Sequence, residues 1–140
     1  IKRKIEAALN NKLNVIFCIG ETYKENFMKK TFLVLKNQLN GSIDKKFNFK
    51  KIIIAYEPVW SIGTGKIPKS NDVIKIFNFI KKEFKSIFKT NLSPIILYGG
   101  SVNPKNISMF SAIADLDGFL IGGASQSSKK FIDIIKNYYK

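Results

Sequence analysis

The feature that most constrains the fold is a set of four short apolar runs, at 15–19, 52–56, 95–98 and 118–121, with helical patterns between them. The runs are continuous rather than alternating, as expected of parallel strands that are covered on both faces. Strands that alternate with helices predict a parallel α/β architecture with right-handed crossovers. An open doubly wound sheet and half of a (β/α)₈ barrel both satisfy this order, so the pattern alone leaves the closure open.

The first helical pattern ends near Leu9. A short helix is expected after Asn103, with Pro104 at its first position. No linker or low-complexity tract interrupts the pattern, so residues 1–140 are expected to form a single domain. Three longer helices are predicted from apolar residues that share a face. These faces comprise Tyr23, Phe27, Thr31, Phe32 and Leu35; then Val73, Ile76, Phe77, Ile80, Phe84 and Ile87; and finally, over about 128–139, Phe131, Ile134, Ile135 and Tyr138.

The composition limits the classes of protein that fit. The chain has 140 residues, of which 45% are apolar, enough for a sizeable core. No apolar run reaches the 18 or so residues of a membrane-spanning helix, and no signal peptide opens the chain. The single cysteine excludes an internal disulfide and fits a reducing cytoplasm. Since the sequence starts at Ile1, inside a helical pattern, we expect a truncated record.

The net charge is +14, from 24 basic and 10 acidic residues. Such a charge is typical of proteins that bind nucleic acid or membrane surfaces. Most lysines here fall between apolar helix positions, as in 77–82, and no nucleic-acid motif accompanies them. We therefore expect neither nucleic acid nor a membrane as partner, although the positive field would attract a small anionic substrate.

Each predicted strand leads at its C-terminal end into a Gly-rich or polar loop, at 18–22, 57–66, 98–103 and 122–125. In parallel α/β proteins ligands bind at this edge, so the four loops should converge on one site.

Two of these loops contain paired glycines, Gly99-Gly100 and Gly122-Gly123, each followed by a predicted helix. Small residues let backbone N–H groups approach an anion closely, and a helix dipole favours negative charge. One Gly-Gly pair is more often only a tight turn, but two pairs on neighbouring strands favour a phosphate site.

Two carboxylates also follow strands. Glu57 ends the second apolar run immediately before Pro58, where partial desolvation makes a carboxylate a better base. Taken alone, an ion pair or a capping role accounts for Glu57 equally well. Glu21 has the same placement after the first run.

The segment 58–68 lacks helix or strand periodicity, with a proline at each end and two glycines in the middle. A loop of this length in a compact domain is often a lid, and this composition indicates a tip that moves as a body. A static surface loop is the alternative, although it leaves the bulky Trp60 and Ile62 unexplained.

Several kinds of chemistry are not expected. Cys18 lies within an apolar run, so it is interpreted as a packing residue and not as a nucleophile. The chain has no histidine, no cysteine pair and no carboxylate cluster, so no metal site is expected. The glycine spacing around 63–66 does not fit a P-loop, there is no dinucleotide fingerprint, and no cofactor is expected.

Four segments, 18–21, 55–66, 98–102 and 117–125, together resemble the triosephosphate isomerase family, in the same order. Segment 55–66, Ala-Tyr-Glu-Pro-Val-Trp-Ser-Ile-Gly-Thr-Gly-Lys, is similar to the family signature that contains the catalytic glutamate and the lid. The resemblance covers essentially the whole chain. It implies an α/β fold that is the C-terminal half of a (β/α)₈ TIM barrel, strands five to eight. Because such barrels have about 250 residues, nearly half of the domain is absent.

The resemblance also implies a function: interconversion of dihydroxyacetone phosphate and glyceraldehyde 3-phosphate, without a cofactor, by a cytoplasmic homodimer of glycolysis and gluconeogenesis. Glu57 would be the base, as in the known pairing of a glutamate with a neutral histidine and a closing loop. The substrate phosphate would be held by backbone N–H groups of Gly63, Ser101 and Gly123, with Gly122 adjacent. The lid and its latch would comprise Pro58, Val59, Trp60, Ile62, Thr64, Gly65 and Lys66, with Glu21 holding the open lid and Tyr98 and Ser101 the closed one.

Two departures from the family pattern matter. The electrophilic histidine and a substrate-binding lysine come from the first half of the barrel, and this chain has no histidine. Pro68 occupies the far hinge, where a backbone N–H often bonds the latch tyrosine, and proline has none.

Two alternatives stay open. One is an inactive or truncated half-barrel that retains only the phosphate-binding loops. The other is a different barrel enzyme with the same phosphate site, such as an aldolase or a synthase, although the segment 57–60 speaks against it.

Overall fold

A computed structural model describes residues 1–110, 113 and 115–139. The described elements follow the predicted order, except that two helices separate β1 from β2 and only a 3₁₀ helix separates β3 from β4. They are α1 (Lys2–Asn10), β1 (Val15–Ile19), α2 (Tyr23–Phe27), α3 (Thr31–Ser42), β2 (Ile52–Tyr56), α4 (Ser70–Phe88), β3 (Ile95–Tyr98), β4 (Gly118–Phe119) and α5 (Ser128–Tyr138). Short 3₁₀ helices lie at Phe49–Lys51, Ile107–Phe110 and Gly123–Gln126. None of the helices that the structure describes is long and apolar enough to span a bilayer.

The four strands form one parallel sheet in the order β1-β2-β3-β4. Consecutive strands are therefore neighbours, as right-handed crossovers in one direction require. The fourth strand is shorter than the predicted run 118–121. Leu120 still donates its N–H to the Tyr98 carbonyl at 3.0 Å, after which the chain leaves the sheet and turns into the 3₁₀ helix at Gly123.

The helices cover one face of this sheet. Phe17, Ile54 and Ile96, one from each of the first three strands, are buried in the same core as Phe77 and Ile80 of α4. The prediction for α4 is confirmed, since five of its six apolar-face residues are buried and Ile87 is half-buried.

The opposite face of the sheet is open, which corrects the expectation that both faces are covered. Ile16 is 47% and Ile95 51% exposed, and Cys18 is exposed as well. In a closed barrel the strands across the interior cover this inner face. The described part of the chain contributes four strands, so the apolar inward residues contact solvent.

The predicted second helix is wrong as a single element. It is broken into α2 and α3 at Lys29, which has a φ of +56° in the left-handed region. Tyr23 and Phe27 on α2 are 64% and 76% exposed, so they do not share the buried face of Leu35. Phe32 is also exposed, and its ring packs edge-on against Phe79 at a centroid distance of 5.0 Å.

The remaining helices also differ in part from the predictions. On α5 only Ile134 is buried, whereas Phe131 and Ile135 are exposed. After Asn103 the chain makes a turn that contains Pro104, and a 3₁₀ helix starts only at Ile107. The Asn103 side chain accounts for this turn, because its Oδ1 accepts the N–H groups of residues 105 and 106.

Candidate active site

Glu57 follows the last residue of β2, and its N–H donates to the Ile19 carbonyl at 2.8 Å. It is half-buried, on the inner face, and a glycine directly follows each neighbouring strand, Gly20 after β1 and Gly99 after β3. A Cβ on Gly99 would lie 2.6 Å from Glu57 Cγ and 2.7 Å from Oε1, and a Cβ on Gly20 would overlap the Glu57 carbonyl. Both glycines therefore make room for Glu57, a packing role that the sequence-based phosphate argument did not include.

Cys18 does not fit the expected packing role, because it lies exposed on the inner face beside Glu57. Partial desolvation raises the pKa of its thiol to about 11, and the Glu57 carboxylate adds to the rise by its charge and by accepting the thiol hydrogen bond. A high pKa leaves little thiolate near neutral pH, so the expectation that Cys18 is not a nucleophile is consistent with this setting.

A cleft of about 750 Å³ opens at the C-terminal ends of the strands. Six of the predicted site residues line it: Glu57, Ile62, Gly63, Ser101, Gly122 and Gly123. The other predicted residues, which are Pro58, Val59, Trp60, Thr64, Gly65, Lys66, Tyr98 and Glu21, are not among its lining residues. The predicted convergence of loops thus holds for the last three strands.

The Gly122-Gly123 turn is an uncrowded part of this cleft. A Cβ on either glycine would meet nothing within 4 Å, so no neighbouring side chain packs against the α-carbons of this turn. Ser125 stabilises this turn, because both its N–H and its hydroxyl donate hydrogen bonds to the Gly122 carbonyl, at 2.9 and 2.7 Å.

The helix-dipole part of the phosphate argument is corrected. The Gly99-Gly100 turn leads into a loop, and Gly123 starts a 3₁₀ helix of four residues, Gly123–Gln126, which carries little dipole. Two lysines that sequence reasoning missed, Lys105 and Lys130, line the cleft. Their position next to predicted loops could have identified them from the sequence. Their positive charge favours binding of an anion in the cleft.

Glu21 is fully buried at the base of the loop 58–68, where its carbonyl accepts the Val59 N–H at 3.0 Å. Its carboxylate accepts hydrogen bonds from Trp60 Nε1 at 2.9 Å, from Asn26 Nδ2 at 3.1 Å and from the Tyr56 hydroxyl at 3.1 and 3.2 Å. Burial, together with Glu21, raises the pKa of Tyr56, so this phenol stays a donor. Asn26 and Tyr56 were not predicted as partners of Glu21.

The loop 58–68 has no helix or strand, as expected, and its tip is held together internally. Thr64 Oγ1 donates towards the carbonyls of Trp60 and Ser61 at 3.1 Å each, and it accepts the Lys66 N–H at 3.2 Å. Gly63 and Gly65 have φ of +69° and +76°, conformations that favour glycine. The side chains of Val59 and Ile62 are about half exposed, and Ile62 lines the cleft.

Ser61 connects this loop to the loop after β3. Its side chain is fully buried, its Oγ donates to the Lys66 carbonyl at 2.5 Å and accepts the Ser101 N–H at 3.1 Å, and the Tyr98 hydroxyl is 3.3 Å away. Burial raises the pKa of Tyr98 to about 12, partly offset by this contact with Ser61. A Cβ on Gly100 would overlap the Tyr98 hydroxyl, so Gly100 makes room for this contact. Ser61 was not among the site residues predicted from the sequence.

Comparison with known proteins decides the family. The sequence pattern of the family described as triosephosphate isomerase matches residues 1–138. The chain belongs to this family. Two similar triosephosphate isomerases are those of Thermodesulfovibrio yellowstonii, 40% identical over 137 residues, and Mycoplasma mobile, 42% identical over 136 residues. These alignments cover 97% of this chain but 56% and 54% of the two relatives, so the chain spans a little over half of their length.

The crystal structure of triosephosphate isomerase from Bartonella henselae is similar to this one, with a TM-score of 0.84 and 36% sequence identity. The match covers 99% of this chain and 56% of that chain. Part of a TIM barrel is therefore the fold, and the doubly wound alternative is wrong. The triosephosphate isomerase resemblance seen in the four motifs is confirmed.

Proposed function

We propose that this chain is the C-terminal half of a triose-phosphate isomerase, strands five to eight of a single barrel domain. The full-length protein would interconvert dihydroxyacetone phosphate and glyceraldehyde 3-phosphate. The observation that carries this proposal is the cleft in which Glu57 faces the loops that contain Gly63, Ser101 and Gly122-Gly123. A base and an anion cradle in one cleft are what proton transfer on a small phosphorylated substrate requires.

In the proposed mechanism Glu57 removes a proton from the carbon next to the substrate carbonyl. The electron pair moves to the carbonyl oxygen and gives an enediol(ate). The proton of the neighbouring hydroxyl moves to the former carbonyl oxygen, and the same carboxyl group returns its proton to the neighbouring carbon. No atom is gained or lost and no redox partner is needed, so the reaction requires no cofactor. The position of Glu57 against Gly20 and Gly99 would fix the carboxylate for both transfers.

The substrate phosphate would be bound by backbone N–H groups of Gly63, Ser101 and Gly123, with Gly122 adjacent. The open turn at Gly122-Gly123 lets an anion reach the backbone without meeting a side chain. Lys105 and Lys130 would add positive charge at the rim of the same cleft.

The loop 58–68 would act as a lid that excludes water from the enediol(ate). The hydrogen bond from Trp60 Nε1 to the Glu21 carboxylate supports the proposal that Glu21 holds the lid in its open position. Tyr98 and Ser101 would help to hold the closed lid. Because Pro68 has no N–H, Tyr98 would have to find its closed-state partner elsewhere on the lid.

The first half of the barrel would supply the electrophilic histidine and the substrate-binding lysine. We further propose that the complete enzyme is a cytoplasmic homodimer of glycolysis and gluconeogenesis, with a phosphorylated triose as its small-molecule partner.

The second candidate is an inactive half-barrel that retains only the phosphate-binding loops. Its support is the exposed apolar inner face around Ile16 and Ile95, together with the lack of histidine in the chain.

An activity assay on two proteins separates these candidates. The 140-residue chain alone should show no turnover above buffer, because it lacks the electrophile and exposes two sheet edges and an apolar face. The same chain joined to the first half of the barrel, from its own gene or from the T. yellowstonii relative, should interconvert the two trioses in a coupled assay. Turnover by the chain alone would overturn the division of roles, and inactivity of the joined protein would favour the second candidate.

A further inference from the structure

The Ser61 hydroxyl is bonded on several sides at once. Its proton goes to the Lys66 carbonyl at 2.5 Å, and its lone pairs face the Ser101 N–H at 3.1 Å and the Tyr98 hydroxyl at 3.3 Å. Ser61 and Lys66 belong to the loop 58–68, whereas Tyr98 and Ser101 belong to β3 and the loop after it. One fully buried hydroxyl therefore links two positions of the proposed lid to β3 and to the loop after it.

The Ser101 N–H is also one of the proposed phosphate donors. A backbone N–H carries one hydrogen, so a good bond to Ser61 Oγ and a good bond to a phosphate oxygen exclude each other. A doubly charged phosphate is the stronger acceptor, because hydrogen bonds to charged groups are roughly twice as strong as neutral ones.

We infer that Ser61 is a positioning residue that competes with the substrate phosphate for the Ser101 amide and so couples phosphate binding to release of the lid. The inference rests on the proposed function and deepens it. Phosphate that takes the Ser101 N–H removes one of the two groups that face the Ser61 lone pairs. Outside the loop 58–68 the Ser61 hydroxyl then keeps only the 3.3 Å contact with the Tyr98 hydroxyl, so the lid moves more easily towards the cleft.

The test is a direct titration of the full-length protein with inorganic phosphate, by calorimetry, so that no activity is needed. Ser61→Ala removes the hydroxyl and keeps the Cβ. It frees the Ser101 N–H, so phosphate should bind about 2- to 10-fold more tightly, the range expected for one neutral hydrogen bond. Trp60 fluorescence in the same titration should report lid movement at a correspondingly lower phosphate concentration.

Thr90→Ala is the control, since it also removes one hydroxyl, but Thr90 Oγ1 accepts the Leu92 N–H after α4 and lies outside the loop 58–68 and the cleft. Its phosphate affinity should stay within about twofold of the parent, the low end of one hydrogen bond. Equal affinity of Ser61→Ala and parent for phosphate, or equal tightening by Thr90→Ala, would overturn the competition. A lower melting temperature of Ser61→Ala without tighter phosphate binding would likewise mean that Ser61 only stabilises the loop.

Gly123→Leu separates this inference from the proposed function. A bulky side chain at that open turn should weaken phosphate binding in the parent and in the Ser61→Ala background alike. If Gly123→Leu has no effect while Ser61→Ala still tightens binding, the assignment of the Gly122-Gly123 turn is wrong and the Ser61 inference stands. If neither parent nor Ser61→Ala binds phosphate, both are overturned.

Discussion

Replacing Glu57 with glutamine in the full-length protein should lower kcat by about 10²- to 10⁴-fold, the usual contribution of a general base. Glutamine keeps the size of the side chain but cannot accept the proton. The proposed phosphate donors are backbone N–H groups of Gly63, Ser101 and Gly123, which this substitution leaves unchanged, so affinity for a phosphate-bearing analogue should change by no more than a few-fold. The loss should therefore appear in kcat, measured by steady-state kinetics with a parallel binding titration.

Glu57→Asp is the informative companion variant, because it keeps the charge and withdraws the carboxylate by one methylene. A displacement on the order of 1 Å can cost about a hundredfold in rate. Both variants should fold like the parent. Near-parental kcat for Glu57→Gln would mean that this carboxylate has a structural role and that the base lies elsewhere.

Gly99→Ala should lower kcat by about a hundredfold, although Gly99 bears no functional group. The new Cβ would lie 2.6 Å from Glu57 Cγ and 2.7 Å from Oε1, closer than such atoms can approach, and Glu57 is the nearest group able to move. The carboxylate should shift by on the order of 1 Å, whereas the phosphate-binding backbone should stay in place.

Gly41→Ala is the control for Gly99→Ala. Gly41 lies in α3, where an added Cβ meets nothing within 4 Å, so kcat should be unchanged. A double variant tests the proposed route through Glu57. In a Glu57→Gln background Gly99→Ala should cost only a few-fold more, because the base is already lost. Full additivity would show that Gly99→Ala acts in another way.

The strands and the long helix α4 could be predicted because each depends on local pattern. Continuous apolar runs give β1, β2 and β3 with the predicted bounds, and the 3.6-residue stripe gives the buried face of α4. The convergence of Glu57 with the glycine turns followed from the rule that ligands bind at the C-terminal ends of parallel strands.

The remaining features depend on contacts that sequence spacing does not reveal. The break between α2 and α3 occurs at Lys29, with no glycine, proline or asparagine to signal the left-handed residue. The open inner face depends on how many strands the chain provides, not on the composition of any one strand. Likewise, Ser61 forms hydrogen bonds with Lys66 and Ser101, which are 5 and 40 positions away in the sequence.

The most direct test of the central claim, that Glu57 of this chain moves a proton between two carbons of a triose phosphate, is to run the full-length enzyme in D₂O. Proton NMR of the trioses would follow the reaction. A carboxyl group that holds the proton between transfers exchanges it with solvent, so deuterium should appear at the carbon that receives the proton. Glu57→Gln should slow this incorporation in step with turnover. Interconversion with no deuterium in either triose, or full incorporation by Glu57→Gln, would contradict the account.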